Sequence, residues 1–143
     1  MFGPMLITRK AEFSASHFTA RADWTAEQNA EVYGESANEH GHGHNYQLEV
    51  TLSGDPDPVT GMVLDLKELK QILEREVIVP FDHRHLNHEV PPFDRIVPTT
   101  ENVAREIWRR LAPHFDAATG VRLHNVRLWE TDDLYVDYAG EQA

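Results

Sequence analysis

Cysteine is missing from all 143 residues, which removes disulfides, thiolate zinc sites and thiol nucleophiles together. Basic charge is scarce: 13 Lys and Arg stand against 24 Asp and Glu, a formal net charge of -11. Nucleic-acid phosphates are bound through Lys and Arg that displace counterions, so this balance argues against a nucleic-acid partner. It leaves room for a small anion held by local groups such as Lys10, Arg21 or Arg84. No apolar run approaches the ~20 residues of a membrane span, and residues 1–10 lack the long apolar core of a signal peptide. The expectation is a cytoplasmic protein with no membrane partner. The His-Glu-x-x-His helix of a zincin protease is also absent, as are internal repeats, linkers and low-complexity segments. A composition of 41% hydrophobic and 26% charged residues over this length is that of one globular domain, 1–143.

Histidine, by contrast, is abundant, with nine in the chain. The most informative run is His42-Gly43-His44, which leads into the alternating segment Asn45-Tyr46-Gln47-Leu48-Glu49-Val50-Thr51-Leu52. In an extended chain, residues i and i+2 project from one face about 6.5 Å apart, near enough for both imidazoles to hold one ion. His17, closing Glu12-Phe13-Ser14-Ala15-Ser16-His17, is the best third ligand. Three imidazoles with a fourth position left for water or substrate form the donor set of a catalytic zinc site. His40 extends the row to His40-x-His42-x-His44, so spacing alone does not choose the pair, and imidazoles also suit other divalent ions. Farther along, Asp82-His83 sets a carboxylate beside an imidazole, the elements of a proton relay.

Periodicity places these residues on a fold. Residues 5–13 and 44–53 read as strands, the second with Tyr46, Leu48, Val50 and Leu52 on one face. Residues 20–40 read as a loop with room for a short helix. Gly54-Asp55-Pro56-Asp57-Pro58 is a turn. Asp65 can cap a helix with the stripe Leu66, Leu69, Leu73 and Val77, which Pro80 is expected to stop. Thr99 or Thr100 can cap a second helix with Val103, Ala104, Ile107, Trp108 and Leu111 on one side. Residues 121–130 and 134–138 read as a closing strand pair with a bulge near Asn125. The order is ββααββ, an α+β layer: a four-stranded antiparallel sheet with both helices on one face and two open edges that other copies could cover.

Six short runs fall in one order: Phe13-Ser14-Ala15-Ser16-His17, Gly41-His42-Gly43-His44-Asn45-Tyr46, Asp57-Pro58-Val59-Thr60-Gly61-Met62, Asp82-His83, Pro98-Thr99-Thr100-Glu101-Asn102-Val103-Ala104 and Trp129-Glu130-Thr131-Asp132. In these runs the chain resembles the 6-pyruvoyl-tetrahydropterin synthases and their bacterial 6-carboxy-tetrahydropterin synthase relatives. The resemblance implies the tunnelling fold, with three sheets joined edge to edge into a barrel and two barrels stacked into a homohexamer whose active sites lie at subunit interfaces. It implies a lyase acting on a small pterin, 7,8-dihydroneopterin triphosphate or a close relative, with Zn2+ on His17, His42 and His44. Glu130 then matches the carboxylate that anchors the pterin ring, Thr99, Thr100 and Glu101 the pocket lining, and Asp82-His83 the acid/base pair. Ser36 matches the position of the family's catalytic cysteine, and a hydroxyl is far less acidic than a thiol. Glu35, one residue before it, is a second candidate base; in an extended segment the two would point to opposite faces. The alternative is a pterin-binding homologue that lost the reaction with the cysteine.

Overall fold

The structure, a computed structural model, describes residues 3–116 and 118–141. Its first two strands, β1 (Met5–His17) and β2 (His42–Gly54), pair antiparallel along their whole length, from Met5 opposite Gly54 to His17 opposite His42. Both run farther toward the histidines than alternation alone suggests, because the polar residues at that end still pair backbone to backbone. Tyr46, Leu48, Val50 and Leu52 are all fully buried, as their alternation requires. β4 (Val121–Thr131) adds antiparallel to β2, and β5 (Leu134–Tyr138) to β4 through a tight turn at Asp132 and Asp133. The expected bulge is present: Thr51 pairs with Asn125 and Leu52 with Leu123, leaving His124 as the extra residue.

The sheet has five strands where four were expected, and it is mixed. The two residues of β3 (Arg84–His85) lie parallel to β1 opposite Ala15 and Ser16, giving the order β3-β1-β2-β4-β5. A two-residue strand carries no periodic signal, so sequence could not announce it.

Three longer helices complete the layer. α1 (Ala26–Tyr33) forms within the segment read as a loop, opened by a reciprocal Thr25–Gln28 capping box. α2 (Leu66–Leu73) starts where the Asp65 carboxylate accepts from the Lys67 amide, and it buries Leu69, Ile72 and Leu73. Leu66, at its first turn, remains 54% exposed. Pro80 does not end this helix. A π turn over Glu74–Ile78, with Val79 N–H bonding to the Glu74 carbonyl, leads into a last turn, Val79–Phe81, that contains the proline. The wider turn accommodates a residue without an N–H, so the break expected from Pro80 falls after Phe81. α3 (Thr100–Leu111) is capped by Thr99 and buries Val103, Ala104, Ile107 and Leu111 on the sheet. The core lies between α2, α3 and one face of the sheet, each fully buried aliphatic side chain contributing about 1.5–3 kcal/mol. Among the described residues no helix is long and apolar enough to cross a membrane.

Candidate metal centre

The alternation that buries Phe13 and Ala15 on β1 brings His17 to the same face, and the alternation of Tyr46 and Leu48 does so for His42 and His44. Register does the rest. His17 stands opposite His42 and Ala15 opposite His44, so a small side chain leaves room where three rings meet. One nitrogen from each of His17, His42 and His44 lies within 4.8 Å of the others, and the Nε2 atoms of His17 and His42 are 3.1 Å apart. Gly41 is needed at the entry to β2: its φ is +74°, and a Cβ there would sit 2.9 Å from the His17 carbonyl oxygen.

Each ring is placed by something beneath it. His17 is 1% exposed, and its Nδ1 lies 2.8 Å from the carbonyl oxygen of Pro98. A carbonyl only accepts, so Nδ1 carries the hydrogen and Nε2 turns its lone pair toward His42 and His44. Burial pushes His17 below the ordinary histidine range, with its neighbouring imidazoles adding to the effect. Burial lowers His44 likewise. Neutral imidazoles are what a cation needs. The Nε2 atom of His44 is buried and has no hydrogen-bond partner among the described residues. Around a tetrahedral zinc, ligand nitrogens lie roughly 3.3 Å apart, a spacing His17 and His42 already meet. Donor type, proximity and the unpartnered nitrogen therefore fit a divalent ion.

Glu130 belongs to the same cluster. It follows Leu128 by two residues on β4 and lies 3.6 Å from His44 Nε2 and 3.8 Å from His17 Nε2. Beside it, Tyr46 is fully buried, stacked on Phe13, with its phenol pushed upward by burial so that it keeps its proton. His40 lies outside the cluster, exposed, its amide tied to the Asn38 side chain.

Other expected site residues occupy different places. Asp82 accepts the Ser14 amide at 2.8 Å and holds His83 Nδ1 at 2.9 Å. The Ser14 amide keeps its carboxyl below the usual carboxylate range. Within 4 Å among the described residues, Asp82 pairs with His83 alone, not with the triad. His83, at φ +60° and 83% exposed, opens instead on a polar cleft lined by Glu12, Ser14, Asn45, Gln47 and Asp132. Glu12, Ser14, Asn45 and Gln47 alternate with the buried residues of β1 and β2, so they line the sheet face opposite the triad, and Asp132 joins them from the turn after β4. Thr99 caps α3, Thr100 is buried and Glu101 is exposed. Glu35 and Ser36 lie in a 3-10 turn, Gly34–Ala37, and not in extended chain. Successive residues there are roughly 120° apart, so they do not face opposite ways. The Ser36 carbonyl accepts the Thr19 amide at 2.8 Å, which pins this turn two residues beyond His17. Of the candidate anion-binding cations, Arg21 pairs with Asp23 and Arg84 with Glu89.

Two contributors escaped the sequence reading. The Pro98 carbonyl orients His17 across 81 positions of chain, a distance no local pattern spans. Ser14 anchors Asp82 through its backbone, which no side-chain type betrays.

Comparison with known proteins identifies the family. Residues 6–141 match the family described as 6-pyruvoyl tetrahydropterin synthase. The 6-pyruvoyl tetrahydrobiopterin synthase of Poecilia reticulata is 44% identical over 135 residues, 94% of this chain and 90% of that protein. The Homo sapiens enzyme of the same name is 41% identical over 135 residues, with 94% and 91% covered. The solved 6-pyruvoyl tetrahydropterin synthase of Caenorhabditis elegans aligns with a TM-score of 0.90 at 34% identity, covering 99% of this chain and 100% of its own. With a family match over nearly its whole length and relatives of this identity, the chain belongs to the 6-pyruvoyl tetrahydropterin synthase family.

Proposed function

We propose that the protein, a single domain over 1–143, is a zinc-dependent lyase acting on 7,8-dihydroneopterin triphosphate or a close relative. What carries this reading is the cluster of His17, His42 and His44 with the Glu130 carboxylate beside it. His17, His42 and His44 would hold the ion, which supplies Lewis acidity to the hydroxylated side chain of the substrate and so weakens the adjacent C–H bonds. Glu130 accepts hydrogen bonds from the N–H groups of the pterin ring. Thr99, Thr100 and Glu101 shape the ring's surroundings at the start of α3. Asp82, ionised and fixed by Ser14, holds the Nδ1 hydrogen of His83 and leaves Nε2 free to take a proton.

Because Asp82 and His83 open on the other face of the sheet, they serve a site on a neighbouring copy, in keeping with a trimeric barrel and a hexamer. Either His83 or Glu35 takes the part of the missing thiol as base. High identity to proteins named as synthases supports turnover over binding alone. The test is to incubate zinc-loaded protein with 7,8-dihydroneopterin triphosphate and identify products by chromatography and mass spectrometry, with a metal-free control. Zinc-dependent conversion is expected, abolished in His44→Ala. His83→Ala or Glu35→Gln should remove turnover while leaving pterin binding intact; full rates in both variants would overturn the acid/base assignment.

A further inference from the structure

Packing does not explain the hydroxyl of Tyr46, in the floor of the triad. The ring is fully buried, stacked on Phe13 at 4.9 Å between centroids and edge-on to His44 at 5.6 Å and His17 at 6.3 Å. Phenylalanine would make every one of these contacts. Yet a hydroxyl is present, buried, and no group among the described residues pairs with it. A buried donor left without an acceptor is a net loss relative to the apolar ring, and folded proteins rarely keep one without a use.

Register indicates the use. Phe13 stands opposite Tyr46 across β1 and β2, while Gln47 stands opposite Trp129 across β2 and β4. Tyr46 therefore sits in a cross-sheet row with Phe13 on one side and Glu130 on the other, one pleat inward from His44. The second unpartnered buried atom of this region, His44 Nε2, belongs to the same face. We propose that Tyr46 is a positioning residue whose phenol donates a hydrogen bond to an oxygen bound between the histidine triad and Glu130, a water or a substrate hydroxyl, and sets that oxygen against Glu130. This rests on the reading of the triad as a metal centre. The phenol neither binds the ion nor moves a proton; it fixes where the oxygen sits.

The test compares wild-type protein with Tyr46→Phe, which removes one oxygen and keeps the ring. Thermal unfolding of the metal-free proteins, zinc affinity by competition with a chromophoric chelator, and neopterin binding to the zinc-loaded proteins are measured. Metal-free Tyr46→Phe is expected to unfold at the same temperature or higher. Zinc affinity is expected to fall about tenfold or more if the oxygen is a water, and neopterin affinity alone if it is a substrate hydroxyl. Unchanged zinc and neopterin affinities, whatever the unfolding temperature, would overturn the proposal. Wild-type protein that binds no zinc would instead defeat the reading of the triad, so the two failures are distinguishable.

Discussion

At the scale of single residues, the position of Ser36 has the most direct chemical consequence. Its turn is pinned by the Thr19 amide beside the exit of β1, and Ser36 is the more buried of the two candidate residues there. A serine hydroxyl does not ionise in the neutral range, whereas a thiol with a reference pKa of about 8.5 does so readily near a cation. Ser36→Cys is therefore expected to raise the turnover number about tenfold or more. Its pH–rate profile should gain an ascending limb on the acid side of that pKa, read from steady-state rates between pH 6 and 9. An unchanged rate and profile would mean that this position does not face the reacting bonds.

At the scale of elements, α3 couples stability to the site. The Pro98 carbonyl that orients His17 directly precedes the Thr99 cap, and Asn102 in the first turn returns its amide to the Val97 carbonyl at 2.9 Å. Farther along, Glu106 is only 6% exposed and accepts hydrogen bonds from Arg109 and Arg110. Burial opposes its ionisation, but the two guanidinium groups outweigh burial and hold its carboxyl below the ordinary range. The resulting stability is fully present above the unfolded glutamate pKa of about 4.3 and is lost as pH falls through the lower folded value. Glu106→Gln is expected to destabilise the protein by about 1.5–3 kcal/mol at pH 7 and to flatten this acid limb, measured by urea unfolding at a series of pH values. Equal losses at pH 7 and well below pH 4 would show that the ion pairs contribute nothing.

At the scale of the whole molecule, the sheet of the described residues ends on open edges, with β5 at one side and, among those residues, only the two of β3 covering β1 at the other. The triad lies on the buried face of that sheet, and Asp82 and His83 border a cleft with Glu12, Ser14, Asn45 and Gln47, which point to the other face. If copies share sites, His44→Ala and His83→Ala are each inactive alone. Mixed, unfolded and refolded together, they should recover activity, since some interfaces join an intact triad to an intact His83. Recovery to roughly a quarter of the wild-type rate is expected from random mixing of interfaces, with oligomer size checked by light scattering. No recovery in assembled mixtures would place both functions within one chain.

Much of this was legible without coordinates, because short-range periodicity is physical information. Alternation placed Tyr46, Leu48, Val50 and Leu52 inside, the 3.6-residue stripe placed Val103, Ile107 and Leu111 on the sheet, and the i, i+2 spacing joined His42 to His44. The run of short motifs carried the family. Only tertiary structure decided what depends on contacts between distant positions. The register of β1 on β2 set His42 and His44, and not His40, against His17, the Pro98 carbonyl set the tautomer of His17, and the docking of residue 82 on Ser14 accompanies a parallel fifth strand. These are pairings across 25 to 81 positions of chain. Local preferences leave them undetermined; the burial of one shared core selects them.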